Sequence, residues 1–204
     1  MPNFSRRLLV AAVLGALTLA GCSKGAGTDA GDMTMGDPKA PVKLVEYASA
    51  SCSHCATFNN EVFPSLKAKY IDTGKVHYTF KEFLTPPVEV AAATFLTARC
   101  AGKDKYFSVL DAVFHAQNEM FTTGDMRGVL LRVAQSAGMT EPQFNACIQD
   151  EAALKALNAR VEKSARDQKI SATPTFVLNG KVFKEGAATL AEFDTAIAAA
   201  QAKK

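Results

Sequence analysis

Two cysteines separated by two residues are the part of this sequence best suited to chemistry. Cys52 and Cys55 flank Ser53 and His54, where an apolar periodicity begins that predicts a helix. Unpaired backbone N–H groups at a helix N-terminus favour a thiolate and lower the pKa of a cysteine beside them. His54 can add a hydrogen bond or positive charge to that thiolate. The pattern predicts a redox-active pair, with Cys52 as the nucleophile and Cys55 as the resolving thiol.

Two other roles are open to the same residues. A purely structural disulfide between Cys52 and Cys55 would close a very short loop, which constrains the unfolded chain little. A zinc site would need further ligands, and His77 and His115 are isolated in the sequence. No resident metal or cofactor is therefore predicted. The alternative from another class is a module in which the two cysteines, with Met33 and Met35, bind copper or zinc without turnover.

Cys100 and Cys147 form a second pair, separated by a long stretch of chain. In an exported protein, the four cysteines after position 22 indicate two disulfides, for which three connectivities are possible. Close spacing favours a bond between Cys52 and Cys55, which leaves Cys100 to pair with Cys147 as a structural disulfide. Two buried free thiols are the alternative.

The first 21 residues carry the features of an export signal. Arg6 and Arg7 precede an apolar run over residues 8–20, which is short for a bilayer core of about 30 Å and suits a signal sequence. The run ends in Leu19-Ala20-Gly21-Cys22, which resembles the lipobox of bacterial lipoproteins. That resemblance implies cleavage before Cys22 and lipidation of its thiol. An ordinary signal peptide followed by an unrelated cysteine is the alternative.

Residues 22–31 are predicted to be a flexible tether between this lipid anchor and a folded body over residues 32–204. The segment is small, polar and rich in glycine, as flexible linkers are. Ser23 follows the cysteine where lipoproteins retained at the inner membrane often carry Asp. We therefore expect a periplasmic protein that is anchored to a bacterial membrane, with the outer membrane favoured.

Composition excludes two other classes of protein. The chain has 204 residues, of which 48% are hydrophobic and 21% charged, and its formal net charge is +3. These values suit a single globular domain. The 23 Lys and Arg residues against 20 Asp and Glu leave no excess charge for binding nucleic-acid phosphates. Only the N-terminal run is apolar enough to concern a membrane, so a multi-span protein is also excluded.

The body is predicted to follow the order β-α-β, a long helical segment, and then β-β-α. Strands are expected over 42–47, 76–83, 175–178 and 181–184, and helices over 52–70, 88–100, 103–117, 125–137, 151–168 and 189–202. Pro64 interrupts the first helix and should kink it, because proline removes a backbone hydrogen bond. Thr140 with Gln143, and Thr189 with Glu192, form capping boxes. Asn179-Gly180 predicts a type I′ turn between the last two strands. The first strand–helix–strand unit predicts a right-handed crossover and a parallel pair.

Three segments of this order together resemble the DsbA family of thiol:disulfide oxidoreductases. They are the strand over residues 42–47, the motif Cys52-Ser53-His54-Cys55, and Thr173-Pro174-Thr175-Phe176. The resemblance covers roughly residues 33–200 and implies an α/β protein, the thioredoxin fold with a helical domain inserted at about 88–170. It further implies an enzyme that exchanges its Cys52–Cys55 disulfide with substrate cysteines through a mixed disulfide on Cys52. Ser53 stands where the family commonly has proline.

The same resemblance gives roles to three further residues. Pro174 matches the cis-proline that faces the active-site disulfide, and Thr173 would expose its backbone to an extended substrate segment. Glu46 matches the buried acid that shuttles the proton of the resolving cysteine, although by its position alone it reads as an edge charge. Lys75 and Lys81 are both candidates to pair with Glu46.

The resemblance favours an oxidase that acts on cysteine-containing exported proteins in extended form. An isomerase or reductase, kept reduced by a membrane partner, is the alternative, because threonine at position 173 is typical of isomerase-like branches. The implied redox partner is a DsbB-like or DsbD-like membrane protein. Only a short linker precedes the body, so a monomer is expected.

Overall fold

The computed structural model describes residues 29–202, apart from the side chains of residues 167 and 168. Cys22 and the predicted signal lie outside the described residues. The strands are β1 Met33–Met35, β2 Val42–Ala48, β3 Val76–Glu82, β4 Thr175–Leu178 and β5 Lys181–Glu185. The α-helices are α1 Ser53–Thr57, α2 Phe63–Leu66, α3 Val88–Cys100, α4 Tyr106–Thr123, α5 Met126–Ser136, α6 Glu141–Ile148, α7 Glu151–Gln168 and α8 Leu190–Gln201. A π-helical turn, Phe58–Val62, joins α1 to α2, and a second one, Lys67–Ile71, extends α2. Residues 53–71 thus form one helical segment, the active-site helix.

The strands of the described chain form one sheet in the order β1-β3-β2-β4-β5. β2 and β3 are parallel, as the crossover predicts, and β1, β4 and β5 each run antiparallel to their neighbours. β4 and β5 are joined by the predicted turn, in which Asn179 and Gly180 both have positive φ as a type I′ turn requires. β1 is not predicted by the sequence pattern, because three residues are too few to show alternation.

The active-site helix absorbs Pro64 through a π turn. Proline has no N–H to donate, and the turn before it widens so that the Phe63 N–H donates to the Phe58 carbonyl five residues back. Pro64 then lies in the first turn of α2, where a missing N–H costs little. The predicted interruption at Pro64 is therefore a local change of helix type, and the helix continues to Ile71.

Five helices, α3 to α7, follow one another between β3 and β4. The capping box of Thr140 and Gln143 is present at the start of α6. α4 runs to Thr123 and ends at Gly124, which is left-handed, so its predicted end at Gln117 is wrong. The polar side chain of Gln117 suggests the end of a helix when the sequence alone is considered, but in the structure it is buried in the middle of α4.

The buried apolar residues form one large core and smaller ones. The large core lies between the sheet, the active-site helix and α8, and continues onto α3 and α4. A separate cluster is enclosed among the inserted helices and includes Val113, Met120 and Phe144. A disulfide joins Cys100 at the end of α3 to Cys147 on α6, with Cα atoms 6.2 Å apart. Among residues 29–202, no helix is long and apolar enough to cross a bilayer.

The chain that leads into β1 is fixed to the body by ion pairs. Lys81 contacts Asp29 at 2.7 Å and Asp32 at 2.6 Å, and Lys163 of α7 contacts Asp29 at 2.9 Å. The carbonyl of Gly31 accepts a hydrogen bond from Arg99. Residues 29–31, which the sequence assigns to the tether, therefore belong to the folded body. Ion pairs rather than an apolar face hold these residues, and hydropathy periodicity therefore cannot indicate that they belong to the body.

Candidate active site

Cys52 lies where the chain passes from the sheet into the active-site helix. β2 ends at Ala48, and Cys52 is the N-cap residue of α1 with an extended backbone. Its sulfur accepts a hydrogen bond from the backbone N–H of Cys55 at 3.3 Å. This is the position that the sequence predicts for the nucleophile, at the end of a helix where N–H groups have no partner of their own.

The two cysteines are free thiols in the structure, and their environments push their pKa values apart. The Cys55 thiol is the largest cause that lowers the pKa of Cys52 to about 6, with further lowering by Thr173 and by the backbone N–H groups of Cys55 and His54. Cys55 is fully buried, and this burial, reinforced by hydrogen bonding to Cys52, raises its pKa strongly. At neutral pH the pair therefore holds one thiolate, on Cys52, and one thiol, on Cys55.

The segment before β4 faces the Cys52 sulfur. The peptide bond between Thr173 and Pro174 is cis. The Cys52 sulfur lies 3.4 Å from the Thr173 carbonyl oxygen, to which it donates a hydrogen bond when it is protonated. The Thr175 hydroxyl donates to the Ala172 carbonyl at 2.8 Å, which ties the start of β4 to the loop before it. The structure thus brings Cys52 beside the cis bond between Thr173 and Pro174, although Thr173 is 121 residues further along the chain.

Glu46 lies on β2 and is 2% exposed. Its carboxylate accepts a hydrogen bond from the Tyr78 hydroxyl at 2.5 Å. Burial raises the pKa of Glu46 to about 8, the Tyr78 hydrogen bond opposes that rise, and the charge on Cys52 adds to it. Glu46 in turn contributes to the raised pKa of Cys55. A carboxyl group that is protonated near neutral pH thus lies within electrostatic reach of both cysteines.

The predicted pairing of Glu46 with a lysine is wrong. Lys81 is bound to Asp29 and Asp32, and Lys75 is exposed near the ring of Tyr70. The partner of Glu46 is Tyr78, a residue that the sequence pattern assigns only to an apolar face of β3. The phenol ring does pack in the core, and alternation cannot reveal that its hydroxyl ends at a carboxylate.

Gln117 holds the chain between β2 and Cys52 in place. Its side-chain amide donates to the carbonyls of Ala50 at 2.9 Å and of Cys52 at 3.3 Å. The sequence offers one signal for this role, because Gln117 is a polar residue at helical spacing between Val113 and Met120, which are both fully buried. A polar side chain on an apolar helix face requires a buried partner.

A second set of hydrogen bonds fixes the same loop from the other side. The Ser51 hydroxyl donates to the Thr85 carbonyl at 2.7 Å, and the Thr85 N–H donates to the Ser49 hydroxyl at 3.1 Å. Ser49 and Ser51 are also 3.1 Å apart through their hydroxyl oxygens. Helix α4, through Gln117, and the loop after β3, through Thr85, therefore both hold the chain that carries the nucleophile. Hydropathy patterns do not indicate the contacts of the two serines with Thr85.

Comparison with known proteins fits this geometry. A family model described as thioredoxin matches residues 28–199. The crystal structure of alpha-DsbA1 from Wolbachia pipientis superimposes with a TM-score of 0.78 at 30% sequence identity, covering 86% of this chain and 94% of that one. The chain belongs to the DsbA family. Its five-stranded sheet with inserted helices is the thioredoxin fold with a helical insertion, as the resemblance implied.

Two further proteins are similar in sequence to most of this chain. It is 31% identical over 153 residues to a Rickettsia bellii protein that is provisionally named a protein-disulfide oxidoreductase. That match covers 74% of this chain, and the chain spans only 58% of the relative's length. Disulfide bond formation protein D of Bacillus subtilis is 26% identical over 159 residues, covering 76% of this chain and 70% of that protein.

His54 differs from its expected role in this DsbA-family site. Its side chain is exposed, and it is the backbone N–H of His54 that is among the causes lowering the pKa of Cys52. Among the described residues, no hydrogen bond joins the imidazole to the Cys52 sulfur. The hydrogen bonds to the thiolate thus come largely from groups that any residue at position 54 would supply.

The residues considered for metal binding are dispersed in the fold. Met33 packs into the core from β1, and Met35 contacts that core on the same strand. His77 is buried on β3, whereas His115 is exposed on α4 beside Asp111. Within residues 29–202, no group of three or more His, Cys, Asp or Glu side chains is arranged to hold a metal ion.

Proposed function

We propose that this chain is a thiol:disulfide oxidoreductase whose catalytic residues are Cys52 and Cys55. One observation carries the proposal: a C-x-x-C pair at a helix N-terminus in which one sulfur is a thiolate at neutral pH and the other a buried thiol. A pKa of about 6 keeps Cys52 at neutral pH in the thiolate form that attacks disulfides, and it also makes Cys52 a good leaving group. The names of the DsbA-family relatives agree with this activity.

The proposed reaction balances as two successive thiol–disulfide exchanges. In the oxidised enzyme, a substrate thiolate attacks the Cys52 sulfur, which breaks the Cys52–Cys55 bond and releases Cys55 as a thiolate. Glu46, protonated below about pH 8, supplies a proton to Cys55. A second substrate thiolate attacks the substrate sulfur of this mixed disulfide, and Cys52 leaves as a thiolate. Two electrons pass from the substrate to the enzyme, and the substrate gains a disulfide.

The direction of this exchange is proposed to be oxidation of folding proteins. Stabilising the Cys52 thiolate stabilises only the reduced enzyme, which makes its disulfide a better oxidant. A substrate in extended form would pair with the backbone beside Pro174. The electrons would then pass to a membrane redox partner of the DsbB-like kind. Donation from a DsbD-like partner would mean that the protein acts as an isomerase or reductase.

Alkylation trapping in intact cells tests the direction. Cells are quenched in acid, labelled with a maleimide that adds mass, and the fraction of Cys52 and Cys55 in disulfide form is read from gel mobility. We expect a mostly oxidised pair for an oxidase, whereas a mostly reduced pair would overturn that direction. A Cys55→Ser variant should accumulate mixed disulfides through Cys52. A Cys52→Ser, Cys55→Ser variant is the control that should trap none.

Activity itself is tested on purified protein by oxidative refolding of a reduced, denatured substrate. The oxidised protein should restore the disulfides of the substrate, and the same double serine variant should not. Equal rates for both proteins would contradict the proposed activity. Insulin reduction in the presence of a thiol reductant provides a second assay that does not depend on refolding.

We also propose that the protein is anchored in the periplasm through a lipid on Cys22. Support comes from the basic residues and the apolar run before Leu19-Ala20-Gly21-Cys22. The mature protein should incorporate labelled fatty acid and sediment with membranes, and Cys22→Ala should lose both properties. Ser23→Ala, which keeps the cysteine, is the matched control. Membrane association without label would contradict the lipid anchor.

A further inference from the structure

A cavity of about 320 Å³ lies between the active-site helix, the sheet and α4. Its walls are largely aromatic and aliphatic, and they include Phe63, Tyr78, Phe80, Phe107, Leu110 and Phe114. Glu46 also lines it and is nearly inaccessible from outside. An apolar cavity of this size with one convergent polar group has the character of a small-molecule site.

The charged groups at the cavity are already paired within the protein. Lys67 contacts Asp72 at 2.7 Å, and Asp111 accepts a hydrogen bond from Asn59 at 2.9 Å. Asp72 and Asp111 are exposed, and Lys67 and Asn59 are half-buried, so these groups lie towards the solvent side of the cavity. An ionic ligand would therefore have to break an existing pair or lose its hydration among phenylalanine rings, which is costly. A neutral ligand meets neither cost.

The buried carboxyl group sets the polar requirement of such a ligand. Oε2 of Glu46 accepts the hydrogen bond of the Tyr78 hydroxyl, so a ligand group at this end of the cavity must pair with the remaining carboxyl oxygen. A hydroxyl group suits that oxygen in either protonation state, because it can donate or accept. Rings that meet phenylalanine side chains edge-on or in offset stacks gain contact energy beyond the area they bury.

We propose that this cavity binds a small neutral aromatic alcohol, with its ring among the phenylalanines and its hydroxyl on the carboxyl group of Glu46. The ligand would act on the redox pair through that carboxyl group, because Glu46 lines the cavity, whereas Cys52 and Cys55 do not, and Glu46 is within electrostatic reach of Cys55. An occupied cavity would exclude water from Glu46 and slow its proton exchange. This coupling, but not the binding, rests on the proposed oxidoreductase function.

Calorimetry with 4-methylphenol as the probe tests the binding. We expect one site in the purified full chain, with toluene binding roughly tenfold more weakly because it offers no hydrogen bond to the second carboxyl oxygen of Glu46. The cation 4-methylbenzylammonium should not bind measurably. Tighter binding of that cation, or equal binding of toluene, would overturn the assigned ligand class.

Variants at the mouth locate the site. Ser108 lines the cavity and is exposed on α4, so Ser108→Trp should cover the mouth and weaken 4-methylphenol binding by tenfold or more. Ser108→Ala is the matched control that leaves the mouth open. Asn59→Trp does the same from the opposite wall, in case the first variant folds poorly. Unchanged affinity in a folded tryptophan variant would place the probe elsewhere and overturn the proposal.

Insulin reduction tests the coupling. Saturating 4-methylphenol should slow the wild-type protein severalfold, whereas the Ser108→Trp protein should keep the rate that it shows on its own without the probe. Binding without any effect on rate would retain the site and overturn the coupling. A wild-type protein that binds the probe but has no activity at all would contradict the proposed function and leave the ligand site intact.

Discussion

Glu46 is a carboxyl group whose protonation differs between the folded and unfolded protein near neutral pH. Its pKa is raised to about 8 from a usual value of 4.5. Between those values the folded state holds a proton that the unfolded state has lost, so the contribution of Glu46 to the free energy of unfolding falls as pH rises. The fall is about 1.4 kcal/mol for each pH unit in that window.

Replacing Glu46 with Gln removes this titration. We expect Glu46→Gln to gain stability relative to the wild-type protein as pH rises from 5 to 8, measured by urea unfolding of the reduced proteins. The lowered pKa of Cys52 acts in the opposite direction in both proteins, and the difference between them isolates Glu46. Tyr78→Phe should raise the pKa of Glu46 further, because it removes the hydrogen bond that favours the carboxylate. A constant difference from pH 5 to 8 would refute the buried acid.

A matched control separates this effect from the loss of any buried hydroxyl. Tyr106 is fully buried, and its hydroxyl donates to Glu82 at 3.1 Å. Tyr106→Phe should lower the free energy of unfolding without moving the pH range in which Glu46 titrates.

His54 provides a second prediction for a single residue. The backbone N–H groups of His54 and Cys55 remain when the imidazole is removed, so His54→Leu should keep the pKa of Cys52 well below its usual value of 9.0. Thiolate absorbance against pH measures this pKa, and a glutathione titration measures the redox potential. Any loss of thiolate stabilisation lowers the potential by about 30 mV for each 1.4 kcal/mol. A pKa that returns to its usual value would assign the stabilisation to the imidazole.

At the scale of elements, the inserted helix α4 supports the active-site loop through Gln117. Gln117→Leu leaves the Ala50 and Cys52 carbonyls without this donor in a buried place, which should cost about 1–3 kcal/mol of folding free energy. Denaturant unfolding measures the cost. Gln135→Leu, on the exposed face of α5, is the control and should change stability by less than about 0.5 kcal/mol. Equal effects of the two substitutions would contradict a supporting role for Gln117.

The disulfide between Cys100 and Cys147 acts between two other elements, α3 and α6. It closes a loop of 47 residues in sequence, which in the chain-entropy model stabilises the fold by roughly 3–5 kcal/mol. The double alanine variant should therefore melt at a lower temperature, and non-reducing peptide mapping of the wild-type protein should recover the linked peptides. Two thiols that react with alkylating agent in the oxidised, denatured protein would disprove the bond.

At the scale of the whole molecule, local patterns predicted most of the architecture. The order of strands and helices after β1, the parallel pair, both capping boxes and the β4–β5 turn are confirmed. Each of these depends on residues close together in the chain. At Pro64 the helix continues through a π turn, in which the Phe63 N–H donates to the Phe58 carbonyl, and the kink stays a prediction.

The contacts that the sequence did not reveal join residues far apart. Tyr78 on β3 contacts Glu46 on the neighbouring strand β2, 32 residues away in sequence. Gln117 contacts Ala50, which is 67 residues away in sequence. Such pairs depend on how the elements pack, and hydropathy patterns do not encode that packing. The pair Cys52 and Cys55 could be predicted from the sequence because both residues lie in one helical turn. Tyr78 as the partner of Glu46 could not be predicted in this way.

The ion pairs that hold Asp29 and Asp32 before β1 determine which end of the sheet would face a point to which the preceding chain is attached. β1 runs antiparallel to β3, with Met33 opposite Phe80, so Asp29 lies beyond the carboxyl end of β3. The loop that carries Cys52 leaves β2 at this same end of the sheet, since β2 is parallel to β3 and Ala48 is opposite Glu82. Tension on the chain before Asp29 would therefore turn the end of the sheet that carries Cys52 towards the point of attachment. The opposite ends of the strands would face away from it.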